Sequence, residues 1–328
     1  MIAPVRLLNR ETTAVVSQAR GGALALLRGP DRLPALFEDE APRVTRFAPS
    51  PTGYLHIGHA YSALFGYEAA RWVKGRFLLR LENIDPQRCR PEFEAAILDD
   101  LRWLGLAWDG EVRRQVEHFD TYQAALDRLR ELEVIYPCFC TRSQIRREIE
   151  AAGAAPHGPG GEILYPGICR SLSASERERR QRFGEPFAWR LDVEKASRIA
   201  GPLSWYDCRA GWVEADPCIF GDIVIARKDV PTSYHLAVTV DDALQGVTLV
   251  TRGEDLFHAT HIHRLLQALL GLPTPRYYHH NIVADSHGRR MAKRNRAVTL
   301  RHLREIGRRP EDVWRLLGLG ECYAGGQP

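Results

Sequence analysis

Between Val44 and Leu81 the chain changes its apolar period twice, and this stretch limits the fold more than any other. Val44 to Ala48 reads as a strand and Pro49 to Gly53 as a turn. His56 to Lys74 reads as a helix with Ile57, Ala60, Leu64 and Tyr67 on one face, and Arg76 to Leu81 as a second strand. Strand, helix and strand in that order form a β-α-β unit, the building block of a parallel sheet covered by helices. The expected class is therefore α/β. Helical spacing returns at Pro91 to Leu104, Thr121 to Val134 and Asp255 to Leu270. Strands are expected at Phe187 to Val193, Ile219 to Ala226 and Val247 to Thr251, and two short helices at Leu300 to Ile306 and Glu311 to Leu317.

Composition narrows the setting. No apolar run reaches the roughly eighteen residues that a membrane helix needs, so the chain is read as soluble, cytoplasmic and without a membrane partner. Seven cysteines make an odd number for a secreted disulfide framework. Cys138 and Cys140 are too close to bridge, and with Cys169 across a Gly/Pro loop they give a zinc signal, against the alternative of small buried cysteines. The formal net charge of +4 permits a polyanionic partner. From Gly288 to Arg315 ten Lys/Arg face three acids, an excess that suits phosphates or merely a solvated helix.

The turn between the first strand and helix carries chemistry. A strand that breaks at Pro and Gly and opens a helix leaves unpaired N–H groups and the positive end of the helix dipole facing the loop, which suits phosphate. His56 and His59, three apart on the first helical turn, could both donate to oxygens of one triphosphate, and Gly58 lets a ring approach the backbone.

The fourteen residues Arg46-Phe47-Ala48-Pro49-Ser50-Pro51-Thr52-Gly53-Tyr54-Leu55-His56-Ile57-Gly58-His59 resemble the HIGH signature of class I aminoacyl-tRNA synthetases, in the form typical of glutamyl-tRNA synthetases. The resemblance continues through Arg80-Leu81-Glu82-Asn83-Ile84-Asp85, Leu104-Gly105, Tyr234-His235-Leu236-Ala237, Val240-Asp241-Asp242, Thr251-Arg252-Gly253-Glu254-Asp255-Leu256 and Met291-Ala292-Lys293-Arg294. It implies a Rossmann-like nucleotide-binding core with an inserted zinc-containing, acceptor-type subdomain. The corresponding division is an extension at 1–42, a first half-core at 43–134, the insertion at 135–230, a second half-core at 231–319 and a tail at 320–328.

The resemblance also implies roles. His56, His59 and Lys293 would serve the reaction, with Gly58 and Met291 joining them at ATP. Arg46, Phe47, Ala48, Pro49, Ser50, Glu82, Tyr234 and Arg252 would form the glutamate pocket, with both arginines on carboxylate and Glu82 on the ammonium. Cys138, Cys140, Cys169 and Tyr165 would hold Zn²⁺, with His157 as the alternative fourth ligand, and Mg²⁺ would accompany ATP. Four positions depart from the family pattern: Asn83 where aspartate is usual, and Arg290, Ala292 and Arg294 where the lysine loop K-M-S-K-S has a lysine and two serines. The sequence stops 35 residues after Lys293. That resembles the glutamyl-queuosine tRNA(Asp) synthetases, relatives without an anticodon-binding domain. The resemblance implies ATP, L-glutamate and tRNA(Asp) bearing queuosine as partners and a monomeric enzyme. A shortened glutamyl-tRNA synthetase core and an idle RNA-binding paralogue are the alternatives.

Overall fold

The computed structural model describes residues 6–7, 43–151, 158–159, 161, 164–284, 298–317 and 319. In chain order the elements begin with β1 (Arg6–Leu7), β2 (Val44–Phe47), α1 (Ile57–Arg71), β3 (Arg76–Leu81), α2 (Pro91–Trp103), β4 (Arg113–Arg114) and α3 (Phe119–Glu131). The middle holds β5 (Ile135–Cys138), α4 (Arg142–Ala151), α5 (Ala174–Arg182), β6 (Ala188–Leu191), α6 (Val193–Ala200), β7 (Ser204–Asp207), β8 (Gly211–Glu214) and β9 (Val224–Ala226). The chain then forms α7 (Tyr234–Leu244), β10 (Leu249–Gly253), α8 (Ala259–Leu270), β11 (Arg276–His280), β12 (Val283–Ala284), α9 (Leu300–Glu305) and α10 (Pro310–Leu316).

The β2-α1-β3 unit is parallel, as its sequence predicts, with Val44 opposite Arg76 and Phe47 opposite Leu79. Gly75 turns α1 into β3 so close to β2 that an added Cβ would collide with the Arg43 carbonyl, to which Arg76 N–H donates. A second parallel set places β11 between β10 and β7. The two sets meet where Thr248 N–H donates to Val44 O and Val44 N–H to Thr248 Oγ1. From this seam the chain order runs outward both ways, so the ends of β2 and β10 border a topological switch point, where open α/β sheets bind ligands.

Residues 204–214 fall within the expected insertion at 135–230, where β7 pairs with β11 of the main sheet and β7 and β8 form its antiparallel edge. The rest of the insertion is built on the antiparallel set β5-β6-β9. Even this set shares a core with the second half, because Leu191 and Ile225 join Leu236, Ile262 and Leu266 of α7 and α8. On the other side, Leu300 and Leu303 of α9 and Val313 and Trp314 of α10 pack into the core of α1, β3 and α2. Two expectations shift. Pro217 and Gly221, the latter at φ 56°, turn the first part of the strand expected at Ile219 to Ala226 into a 3-10 turn. The helix expected from Asp255 begins with a separate 3-10 turn, Glu254–Leu256, before α8. No described helix is long and apolar enough to cross a membrane.

Candidate active site

A cavity of about 590 Å³ opens at the ends of β2, β10 and β11, beside the first turn of α1. It gathers Arg46, Phe47, Ala48, Pro49, Ser50, His56, Gly58, His59, Glu82, Tyr234 and Arg252, every glutamate- and ATP-site residue named above that lies among the described residues. Lys293, Met291 and the alternative zinc ligand His157 lie outside those residues. The described flanks of the lysine stretch both reach the site: Val283 lines the cavity, and Thr299 pairs with His56, where Leu300 N–H donates to Leu55 O.

The histidines use one ring nitrogen each to close α1. Gly58 N–H donates to His56 Nδ1 at 3.1 Å, and His56 N–H donates to His59 Nδ1 at 3.2 Å, a capping box made of imidazoles. Because each Nδ1 accepts, this network assigns the proton of each neutral ring to Nε2. The rings lie 3.8 Å apart between centroids, so the two Nε2–H donors come as a pair. An added Cβ at Gly58 would sit 3.0 Å from His56 Cε1, so this glycine also keeps room for the histidine ring.

The two arginines differ in how their charge is met. Arg46 Nε donates to Asp242 Oδ1 at 2.9 Å and its Nη1 to Thr251 O at 3.2 Å, while Arg80 Nη2 donates to the same Asp242 oxygen at 2.7 Å. Burial pushes Asp242 up, but Arg46 and Arg80 together hold it below the ordinary carboxylate range. Arg252 is equally buried, and its side-chain partners among the described residues are all uncharged acceptors. Its Nε donates to His279 Nε2 at 3.1 Å, its Nη1 meets His263 Nδ1 at 3.2 Å, and its Nη2 donates to Thr260 Oγ1 at 2.6 Å.

Those acceptors are held neutral. Burial lowers His263 well below its usual value, with the Arg252 charge adding to the effect. Burial likewise lowers His279 to about 4 against the pull of Asp207, whose Oδ2 lies 2.7 Å from His279 Nδ1. A second imidazole, His235, backs His263 with Nδ1 3.2 Å from its Nε2. A buried guanidinium solvated by neutral groups favours an incoming carboxylate.

Glu82 supplies the opposite sign. Burial pushes it up to about 7, opposed by Arg80 and Arg46, with Arg80 Nη2 3.8 Å from its Oε1. A cation entering the cavity would restore its ionised form. The cavity thus suits a small molecule carrying both a carboxylate and an ammonium.

The sequence model of the class I tRNA synthetases (E and Q), catalytic domain, matches residues 43–322. The chain belongs to this family. It is 48% identical over 288 residues to a Glutamyl-Q tRNA(Asp) synthetase of Rhodobacter capsulatus, a match spanning 84% of this chain and 100% of that protein. To a glutamate–tRNA ligase of Aquifex aeolicus it is 39% identical, and there it spans 57% of the ligase. Among solved structures it resembles a glutamate–tRNA synthetase from Elizabethkingia anophelis at TM-score 0.69 and 27% identity, over 83% of this chain and 60% of that one.

Away from this synthetase cavity, Cys138, Cys140 and Cys169 bring their sulfurs within 4.8 Å of one another. Cys140 Sγ lies 3.4 Å from Cys169 Sγ, and Tyr165 Oη lies 3.4 Å from Cys138 Sγ and 3.6 Å from Cys140 Sγ. Donors around tetrahedral Zn²⁺ at a Zn–S distance near 2.3 Å are spaced by about 3.8 Å, so these four atoms fit that ion's size and preference for soft ligands.

Sequence reasoning missed the groups that hold the arginines. Asp242 stands in the Val240-Asp241-Asp242 stretch without an expected role, and His263, His279, Thr260 and Asp207 are absent from the expected site. The spacing of His258, His261 and His263 on one short stretch was an available signal.

Proposed function

We propose that this synthetase activates L-glutamate with ATP and transfers it to queuosine at the wobble position of tRNA(Asp). The observation that carries the first half is the pairing, in one cavity, of Arg252, whose partners among the described residues are all neutral, and Glu82 with a raised proton affinity. Free glutamate supplies the carboxylate for one and the ammonium for the other. A hydroxyl at Tyr234 and the Phe47-to-Ser50 wall, with Arg46 anchored by Asp242, complete the glutamate subsite. Support for the second half is the similarity to the Rhodobacter capsulatus protein over its whole length.

In this reading an oxygen of the glutamate α-carboxylate attacks the α-phosphorus of ATP, and the bond to pyrophosphate breaks. A hydroxyl of the RNA then attacks the glutamyl carbonyl, forming an ester and releasing AMP. His56 and His59 donate through Nε2–H to phosphate oxygens, Lys293 and Met291 contribute from the lysine loop, and Gly58 keeps the helix terminus accessible. Mg²⁺ bound to ATP neutralises phosphate charge. Cys138, Cys140, Cys169 and Tyr165 would hold Zn²⁺ as a structural ion that fixes the loop after β5. With ATP and tRNA as substrates, the cytoplasm is the proposed compartment.

Two assays test the proposal. Glutamate alone should support ATP–pyrophosphate exchange without RNA, and glutamine should not. Labelled glutamate should pass to tRNA from cells that make queuosine and not to tRNA from cells that lack it. Equal labelling of both tRNA pools would reject queuosine and favour the 3′ end as acceptor.

A further inference from the structure

A second cavity, also about 590 Å³, lies at the opposite ends of the strands, against the β7–β8 edge. Its lining includes Tyr206, Trp212, Arg264 and Arg276 and no carboxylate. Trp212 is 74% exposed, an unusual position for the most costly apolar ring to leave in water. It stands at 5.4 Å edge-on to Tyr206, and the Arg276 guanidinium covers the Tyr206 ring at 5.3 Å. Arg264 is held in place by donating from Nε to Ser204 O at 3.0 Å, and no carboxylate among the described residues pairs with it. Glu214, the acid on the Trp212 face of β8, is not part of the lining.

An exposed indole with a phenol beside it offers a π-face to a base, and two guanidiniums at the same groove offer donors to phosphate. A protein partner would be expected to bring acids to these arginines, but it would not need the aromatic platform to stand open. Position favours RNA as well. β11 carries Arg276 at this groove and His280 at the active-site cavity, four residues apart, or about 13 Å along a strand. An RNA delivering its acceptor to the first cavity is wide enough to reach the second.

We infer that the groove bounded by Trp212, Tyr206, Arg264 and Arg276 is an RNA-docking surface, on which an unstacked base of the substrate tRNA lies against Trp212 while its phosphates meet the arginines. The inference rests on the reading of the chain as acting on tRNA and adds a contact outside the catalytic cavity. It predicts that this surface governs RNA affinity and leaves amino-acid activation untouched.

The test is titration of fluorescein-labelled tRNA(Asp) with the full chain and its variants, alongside glutamate-dependent ATP–pyrophosphate exchange without RNA. Trp212→Ala should raise the Kd about tenfold, Trp212→Phe should restore most of the affinity, and Arg264→Gln should flatten the dependence of log Kd on log salt. Exchange should be unchanged in all three, since none lines the first cavity. Equal Kd values for wild type and Trp212→Ala would overturn the inference, as would Trp212-dependent self-association in sedimentation without a change in Kd. Wild-type protein that binds tRNA through Trp212 yet shows no glutamate-dependent exchange would instead reject the activation reading and leave the surface standing.

Discussion

Asp242 neutralises Arg46 across 2.9 Å, on the wall of a cavity where the partners of Arg252 among the described residues are all uncharged. The same carboxylate also receives Arg80, so its loss would leave Arg46 without its ion pair and Arg80 with only the longer, 3.8 Å ion pairs to Asp241 and Glu82 among the described residues. Asp242→Asn should lower stability by about 3–5 kcal/mol, as expected when one partner leaves a buried ion pair. Denaturant unfolding measures this, and a loss below about 1 kcal/mol would show that Arg46 and Arg80 find other compensation.

His263 sets the charge seen by Arg252. His263→Glu would place a carboxylate beside Arg252 Nη1 and compete with the substrate's own, so KM for glutamate in exchange should rise more than tenfold while KM for ATP holds. His263→Gln keeps a neutral acceptor and should stay within a few-fold of wild type. Equal effects of the two substitutions would mean that the histidine matters for shape and not for neutrality.

The raised proton affinity of Glu82 gives glutamate binding a pH dependence. Its free-enzyme value lies near 7, and an ammonium ligand binds the ionised form. Affinity should therefore climb as pH rises through about 7 and fall below it, as the site must first lose a proton. Calorimetric titration of glutamate between pH 5.5 and 8.5, with ranges chosen on either side of that value, would show the slope (about tenfold per pH unit at its steepest). Glu82→Gln should bind weakly at every pH, and a slope surviving in that variant would move the titration to another group.

How much of this was legible in the sequence depends on how local each signal is. The β2-α1-β3 unit could be read because its turn and its helix start lie within a few residues of each other. Arg46, Glu82, Tyr234 and Arg252 could be named from motif resemblance, and they do converge on one cavity. The groups that tune them come from α7, α8, β7 and β11, far apart in sequence, and no periodicity reports such meetings. α5 was invisible for another reason: Ala174–Arg182 has no apolar face, and it is held by the Ser173 cap and the pairs from Glu176 to Arg179 and Arg180. The β7–β8 hairpin is only four residues per strand, below the length at which alternation stands out.

Metal content gives a further check. Purified protein should hold about one equivalent of zinc, and Cys140→Ser should lose it together with several degrees of Tm, because the binding energy of a structural ion contributes to folding. Protein prepared without chelators and found free of metal would remove zinc from the account.

The seam between β2 and β10 joins Val44 to Thr248, residues 204 positions apart. During synthesis the first strand and its helix emerge early, but the strand that completes the crevice is made only after most of the chain. Closing so long a loop is slow compared with local pairing. The sites at β2 and β10 therefore cannot come together on a nascent chain that ends before Gly253, so glutamate and ATP would meet a finished pocket only after the intervening segment has been made and accommodated.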